Sequence, residues 1–101
     1  MNENIVGLDW DNILLSTAKK RQKIVELEEE TQTLLFQTKN GFHLKIIYLN
    51  PISVKKNFEI REKYWDCETR LRYSKARYET SKQGYDVLFN MKEGVWEKLL
   101  G

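Results

Sequence analysis

One cysteine, one proline, one histidine and five glycines are all that 101 residues supply of the types that mark disulfide scaffolds, zinc centres and loop-rich chains. A lone Cys67 closes no internal disulfide, and with a single His beside it in the composition it completes no zinc site. Cys67 therefore reads as an ordinary half-buried side chain. There is no internal repeat, linker or low-complexity segment. Long apolar runs are missing too: the stretch Leu44 to Leu49 is interrupted by Lys45 and is far too short to span a bilayer. The acidic N-terminus lacks the basic and apolar regions of a signal peptide. These absences predict an intracellular, cytoplasmic protein with no membrane partner. An excess of one charge is also lacking. A net charge of +2 does not by itself mark a nucleic-acid-binding chain, and no nucleophile-elbow, phosphate-loop or zinc signature is present.

What is present fits one domain over residues 1–101, with apolar and charged residues in the balance of a folded chain. Its most informative element is Ile5-Val6-Gly7-Leu8-Asp9-Trp10-Asp11. Side chains alternate across a strand, so Val6, Leu8 and Trp10 point to a core while Gly7, Asp9 and Asp11 share the other side. Two carboxylates held side by side repel unless a cation or a donor sits between them, and such oxygen pairs suit Mg2+ or Mn2+. The competing reading is that Asp11-Asn12 ends the strand and caps a helix over residues 12–30. A second strand is expected over Thr33–Thr38, and Lys39-Asn40-Gly41 supplies a turn. A third strand, Phe42–Leu49, follows and is stopped by Asn50-Pro51. In it Phe42, Leu44, Ile46 and Tyr48 share one face and His43, Lys45 and Ile47 the other.

Residues 53–82 admit two readings. Ile60, Tyr64, Cys67, Leu71 and Tyr78 recur at helical spacing and favour one long helix; alternatively a helix ends near Asp66, Arg70–Ser74 forms a strand and a short helix follows. Tyr85–Met91 reads as a strand and Gly94–Leu100 as a short amphipathic tail carrying Val95, Trp96, Leu99 and Leu100. The order strand, helix, hairpin, helix, strand predicts an α+β fold, ferredoxin-like or RRM-like, with a mainly antiparallel sheet and helices on one face. The other face is then expected to be open, with Asp9, Asp11, His43 and Lys45 converging on it.

Charge is unevenly placed. Lys19, Lys20, Arg21 and Lys23 form one basic cluster and Arg70, Arg72, Lys75, Arg77 and Lys82 another, while Glu26, Glu28, Glu29 and Glu30 gather into an acidic stretch. Such runs are usually solvated helix faces. The second basic cluster is interleaved with Tyr64, Trp65, Tyr73, Tyr78 and Tyr85, rings that can stack bases or belong to a core.

Asp-x-Asp closing a strand, a helix, and then a hairpin with Gly41-Phe42-His43 opening its second strand resembles the archaeo-eukaryotic primase superfamily of primase-polymerases, in a minimal or degenerate RRM-like core. The later stretch Phe58-Glu59-Ile60-Arg61, Asp66, Arg70-Leu71-Arg72-Tyr73-Ser74, Arg77 and Asp86-Val87-Leu88-Phe89 is similar to the C-terminal part of small plasmid and viral members. The resemblance implies that Asp9 and Asp11 match the metal-binding acids and His43 the residue that contacts nucleotide phosphate. It also implies a third acid on a later strand. Ser74 occupies the aligned position, with Asp66 a poor substitute, and two acids alone are thin for a two-metal site.

Two expectations follow. In the first, this is a small replication-associated nucleic-acid- or nucleotide-binding domain with Mg2+ or Mn2+ at Asp9 and Asp11. It would be a metal-dependent nucleotidyltransferase only if active, with catalytic impairment the favoured reading. Lys45, Arg70, Arg72 and Arg77 then contact phosphate beside His43. In the second, it is a non-enzymatic interaction protein, a homodimer through its C-terminal segment, without nucleic-acid binding.

Overall fold

The computed structural model describes residues 3–81 and 97–101. Strand β1 (Glu3–Asp11) is followed by helix α1 (Leu15–Glu29) and the hairpin β2 (Gln32–Thr38) and β3 (Gly41–Ile52); helices α2 (Val54–Lys63) and α3 (Glu68–Ser81) and the short strand β4 (Glu97–Leu99) complete the described elements. The strands form one sheet in the order β1-β3-β2-β4 with every pair antiparallel. This is the α+β, ferredoxin-like or RRM-like architecture that the order of apolar periods predicts. Among the described residues β1 occupies one edge of it and β4 the other.

Alternation along the strands builds the core. Val6, Leu8 and Trp10 of β1 stand opposite Ile46, Leu44 and Phe42 of β3, and Leu35 of β2 stands opposite Leu44. All seven are buried, and Ala18 and Val25 of α1 join the same cluster as Ile60 of α2 and Tyr64. Two polar ties fix the helices there. The Trp10 indole Nε1 donates to the Tyr64 carbonyl at 2.9 Å, and the Tyr64 hydroxyl donates to Glu29 at 2.5 Å. The Tyr48 hydroxyl donates to the other Glu29 oxygen at 2.9 Å. Burial and the nearby carboxylates push both phenols well above the ordinary range, so both remain donors.

Gly41 sets how closely β1 approaches the hairpin. A Cβ at this position would lie 2.1 Å from the Trp10 carbonyl oxygen, a distance no side-chain carbon tolerates. Its amide donates to Thr38 Oγ1 at 3.1 Å and closes the turn.

Four local expectations are corrected. Asn12 does not cap α1: it adopts φ 55° and its amide donates to the Asn40 carbonyl at 3.0 Å, extending the β1 and β3 pairing, while α1 starts three residues later behind Leu14 with no side-chain cap. Strand β3 continues through Pro51 to Ile52, because the register shifts between Glu3 and Ile5 and the proline falls in that irregularity. Where one helix or helix-strand-helix is expected over residues 53–82, the described residues 53–81 form two helices. Tyr64 donates to Ile60, Asp66 donates to Arg61, and Trp65 between them takes φ 64°, a Schellman termination with a tryptophan where glycine is usual. The C-terminal tail is corrected only in its described part: Glu97–Leu99 is a strand beside β2, and the Leu100 amide donates to the Leu35 carbonyl at 2.7 Å. The strand expected at Tyr85–Met91, and the expectations for Lys82, Val95 and Trp96, lie outside the described residues.

Candidate metal and phosphate site

The face of β1 turned away from the core carries the acids. Asp9 stands opposite His43, Gly7 opposite Lys45 and Asp11 opposite Gly41, so the register places all of the expected strand residues on one side of the sheet. His43 Nε2 lies 3.5 Å from Asp9 Oδ1. The face is not open at that point, which corrects the expectation: His43 is 3% exposed, set in the middle strand between Asp9 on one neighbour and Phe36 on the other. Lys45 is half-buried, with its ammonium 4.8 Å from the centre of the Phe36 ring. Burial, followed by the charge of Asp11, pushes the Asp9 carboxyl up from 3.8 to about 7, against a smaller opposing pull from Arg70.

The outer edge of β1 is held by side chains. Asp66, in the corner between α2 and α3, accepts the Asp9 amide at 2.8 Å through Oδ1. Its Oδ2 accepts Arg61 Nε at 2.7 Å and Arg70 Nη1 at 2.8 Å. The same Arg70 nitrogen donates to the Gly7 carbonyl at 2.9 Å. An edge strand offers backbone donors and acceptors in alternation, and here a carboxylate answers the donor and a guanidinium the acceptor. Arg61 is satisfied in turn by Asn57 Oδ1 and Ser74 Oγ, at 3.3 and 2.8 Å. The Asp66 and Arg61 side chains are fully buried.

Cys67 follows directly, and the corner delivers it to the acids. One oxygen of Asp9, one of Asp11 and the Cys67 sulfur all lie within 4.8 Å of one another. Asp9 and Cys67 are half-buried and Asp11 is exposed. The two carboxylate oxygens suit Mn2+ or Mg2+; of these two, Mn2+ is the more tolerant of a sulfur neighbour and of irregular geometry, because Mg2+ demands a near-ideal octahedron of oxygens. Among the described residues the donor set fits one ion. Neither candidate for a third acid is available for a second one: Asp66 is consumed by two arginines and an amide, and Ser74 bridges Arg61 and the Arg70 carbonyl. The sequence signal missed was Cys67, because a cysteine without cysteine or histidine partners suggests no ligand.

The expected phosphate-binding arginines divide. Arg70 is buried in the edge clamp, so it leaves the cationic surface; it lies in the first turn of α3, within reach of Asp66 just ahead of that helix. Arg72 is 79% exposed and pairs with Glu68 at 3.5 Å, and Arg77 is exposed on α3. Comparison with known proteins finds no matching family model, no matching curated protein and no matching solved structure. Among the described residues no helix is long and apolar enough to cross a membrane.

Proposed function

We propose that this chain is a small binding domain for nucleotides or nucleic acid that engages phosphate through one divalent cation, Mn2+ in preference to Mg2+, held by Asp9 and Asp11. The observation that carries this reading is the convergence of two carboxylates and the Cys67 sulfur at the end of β1. A raised Asp9 carboxyl accords with it, because a bound cation offsets both the burial and the Asp11 charge that keep a proton on Asp9. The bound cation and Lys45 would then supply the attraction for phosphate, with Arg72 and Arg77 as outlying charges and His43 buried behind Asp9. The reading is binding and not nucleotidyl transfer: among the described residues the donor set accommodates one ion, where in-line phosphoryl displacement by paired metals needs two. The resemblance to primase-polymerases is thereby read as a binding remnant.

The test is a titration of labelled single-stranded and duplex oligonucleotides and of a nucleoside triphosphate, at low and physiological salt, with and without Mn2+. Salt-dependent binding that Mn2+ strengthens and Asp9→Ala removes is expected. No binding at micromolar protein in either metal condition would overturn the reading in favour of an interaction protein.

A further inference from the structure

The acids and the sulfur belong to different parts of the chain, and one buried residue joins them. Asp9 and Asp11 ride on β1; Cys67 rides on the corner after α2. Asp66 sits between these two halves. Through Oδ1 it holds the amide of Asp9 at 2.8 Å, and it immediately precedes Cys67 in the chain. Its own direction is fixed by Arg61 and Arg70, at 2.7 and 2.8 Å. Arg70 adds a second grip on the same strand at the Gly7 carbonyl, two residues before Asp9. The corner itself has little freedom, because Trp65 is held at φ 64° by the termination of α2 and its ring lies over the Arg21 guanidinium at 4.9 Å.

We infer that Asp66 is a positioning residue of the cation site, the pin that sets the spacing between the carboxylates on β1 and the sulfur on the corner. This rests on the cation reading proposed above. Asp66 touches no ligand; it acts through the backbone of Asp9 and through Cys67. Partners that orient metal ligands in this way are commonly worth ten-fold or more in affinity. Without the pin, strand and corner can separate while each keeps its local structure, and the sulfur leaves the coordination sphere before the carboxylates do.

Co2+ is the probe, because a thiolate bound to it gives a ligand-to-metal charge-transfer absorption that carboxylates do not. The full chain is titrated with Co2+, following both that band and the binding isotherm, and thermal unfolding is recorded for each variant. The wild type should show the band and Cys67→Ser should lose it. Asp66→Asn keeps the size of the side chain but puts an NH2 group where a carboxylate oxygen is needed, so one side chain can no longer hold both the Asp9 amide and the two guanidinium groups; it should bind Co2+ about ten-fold more weakly and without the band. Asp66→Asn binding with wild-type affinity and an intact band would overturn the inference while leaving the cation reading in place. A wild type that binds neither Co2+ nor Mn2+ would overturn both. If Asp66→Asn does not fold, Arg70→Met takes its place, since it keeps an unbranched stem and removes the nitrogen that joins Asp66 to the Gly7 carbonyl; the same loss of band supports the pin, and its retention overturns it.

Discussion

The two faces of β1 are built from alternate residues of one nine-residue strand, yet they are held by opposite physics. Val6, Leu8 and Trp10 enter an apolar cluster where any well-shaped hydrophobic neighbour serves. Gly7, Asp9 and Asp11 meet lysine, histidine, aspartate and arginine, where each polar group depends on a named partner. The core face therefore derives its strength from area, and the polar side from completeness. Damage on the first should scale with volume removed, and on the second with the charge left unpaired.

The largest effect expected from this contrast comes from Asp66→Ala, which strands Arg61 and Arg70 together in a buried place. It should cost about 4 kcal/mol, as breaking buried ion pairs does, read as a lowered urea midpoint. On the apolar side Leu44→Ala should cost about 3 kcal/mol in the same assay. A larger loss at Leu44 than at Asp66 would break the comparison. Gly41→Ala forces the Trp10 carbonyl away from the hairpin and should cost about 2 kcal/mol through overpacking.

Asp9 sharpens the contrast through pH. Between its ordinary value of 3.8 and the folded value of about 7, the folded chain holds a proton that the unfolded chain has lost. Stability contributed by this group therefore falls as pH rises through that window, and is lowest above about 7. Asp9→Asn should accordingly raise the melting temperature more at pH 8 than at pH 5, in thermal unfolding without added metal. An equal shift at both pH values would mean that Asp9 titrates normally. The smallest effect belongs to Arg72→Ala: its pair with Glu68 is solvated, so the change should stay below about 0.5 kcal/mol.

Periodicity of two made the sheet legible. The alternation in Ile5–Asp11 and Phe42–Leu49, with a turn before Gly41, places Asp9, Asp11, His43 and Lys45 on one face without any knowledge of the fold. What stayed hidden depends on contacts remote in sequence. The break after Lys63 is made by a tryptophan in a left-handed conformation, and no propensity announces that. Asp66 looks like a weak acid in a helical stretch until its partners at Asp9, Arg61 and Arg70 converge from three elements. For the same reason Arg70 reads as surface charge in the sequence and is buried in the fold. Cys67 gains meaning only through a corner that brings it to residues 56 and 58 positions earlier in the chain.

The polar end of β1 is proposed as a cation site. Isothermal titration of the metal-free protein with Mn2+ at pH 8 tests it most directly, alongside the Asp9→Asn/Asp11→Asn double variant. Saturable binding of one Mn2+ per chain, lost in the double variant, is the predicted result. Absence of saturable binding, or an unchanged isotherm without the two carboxylates, would contradict it.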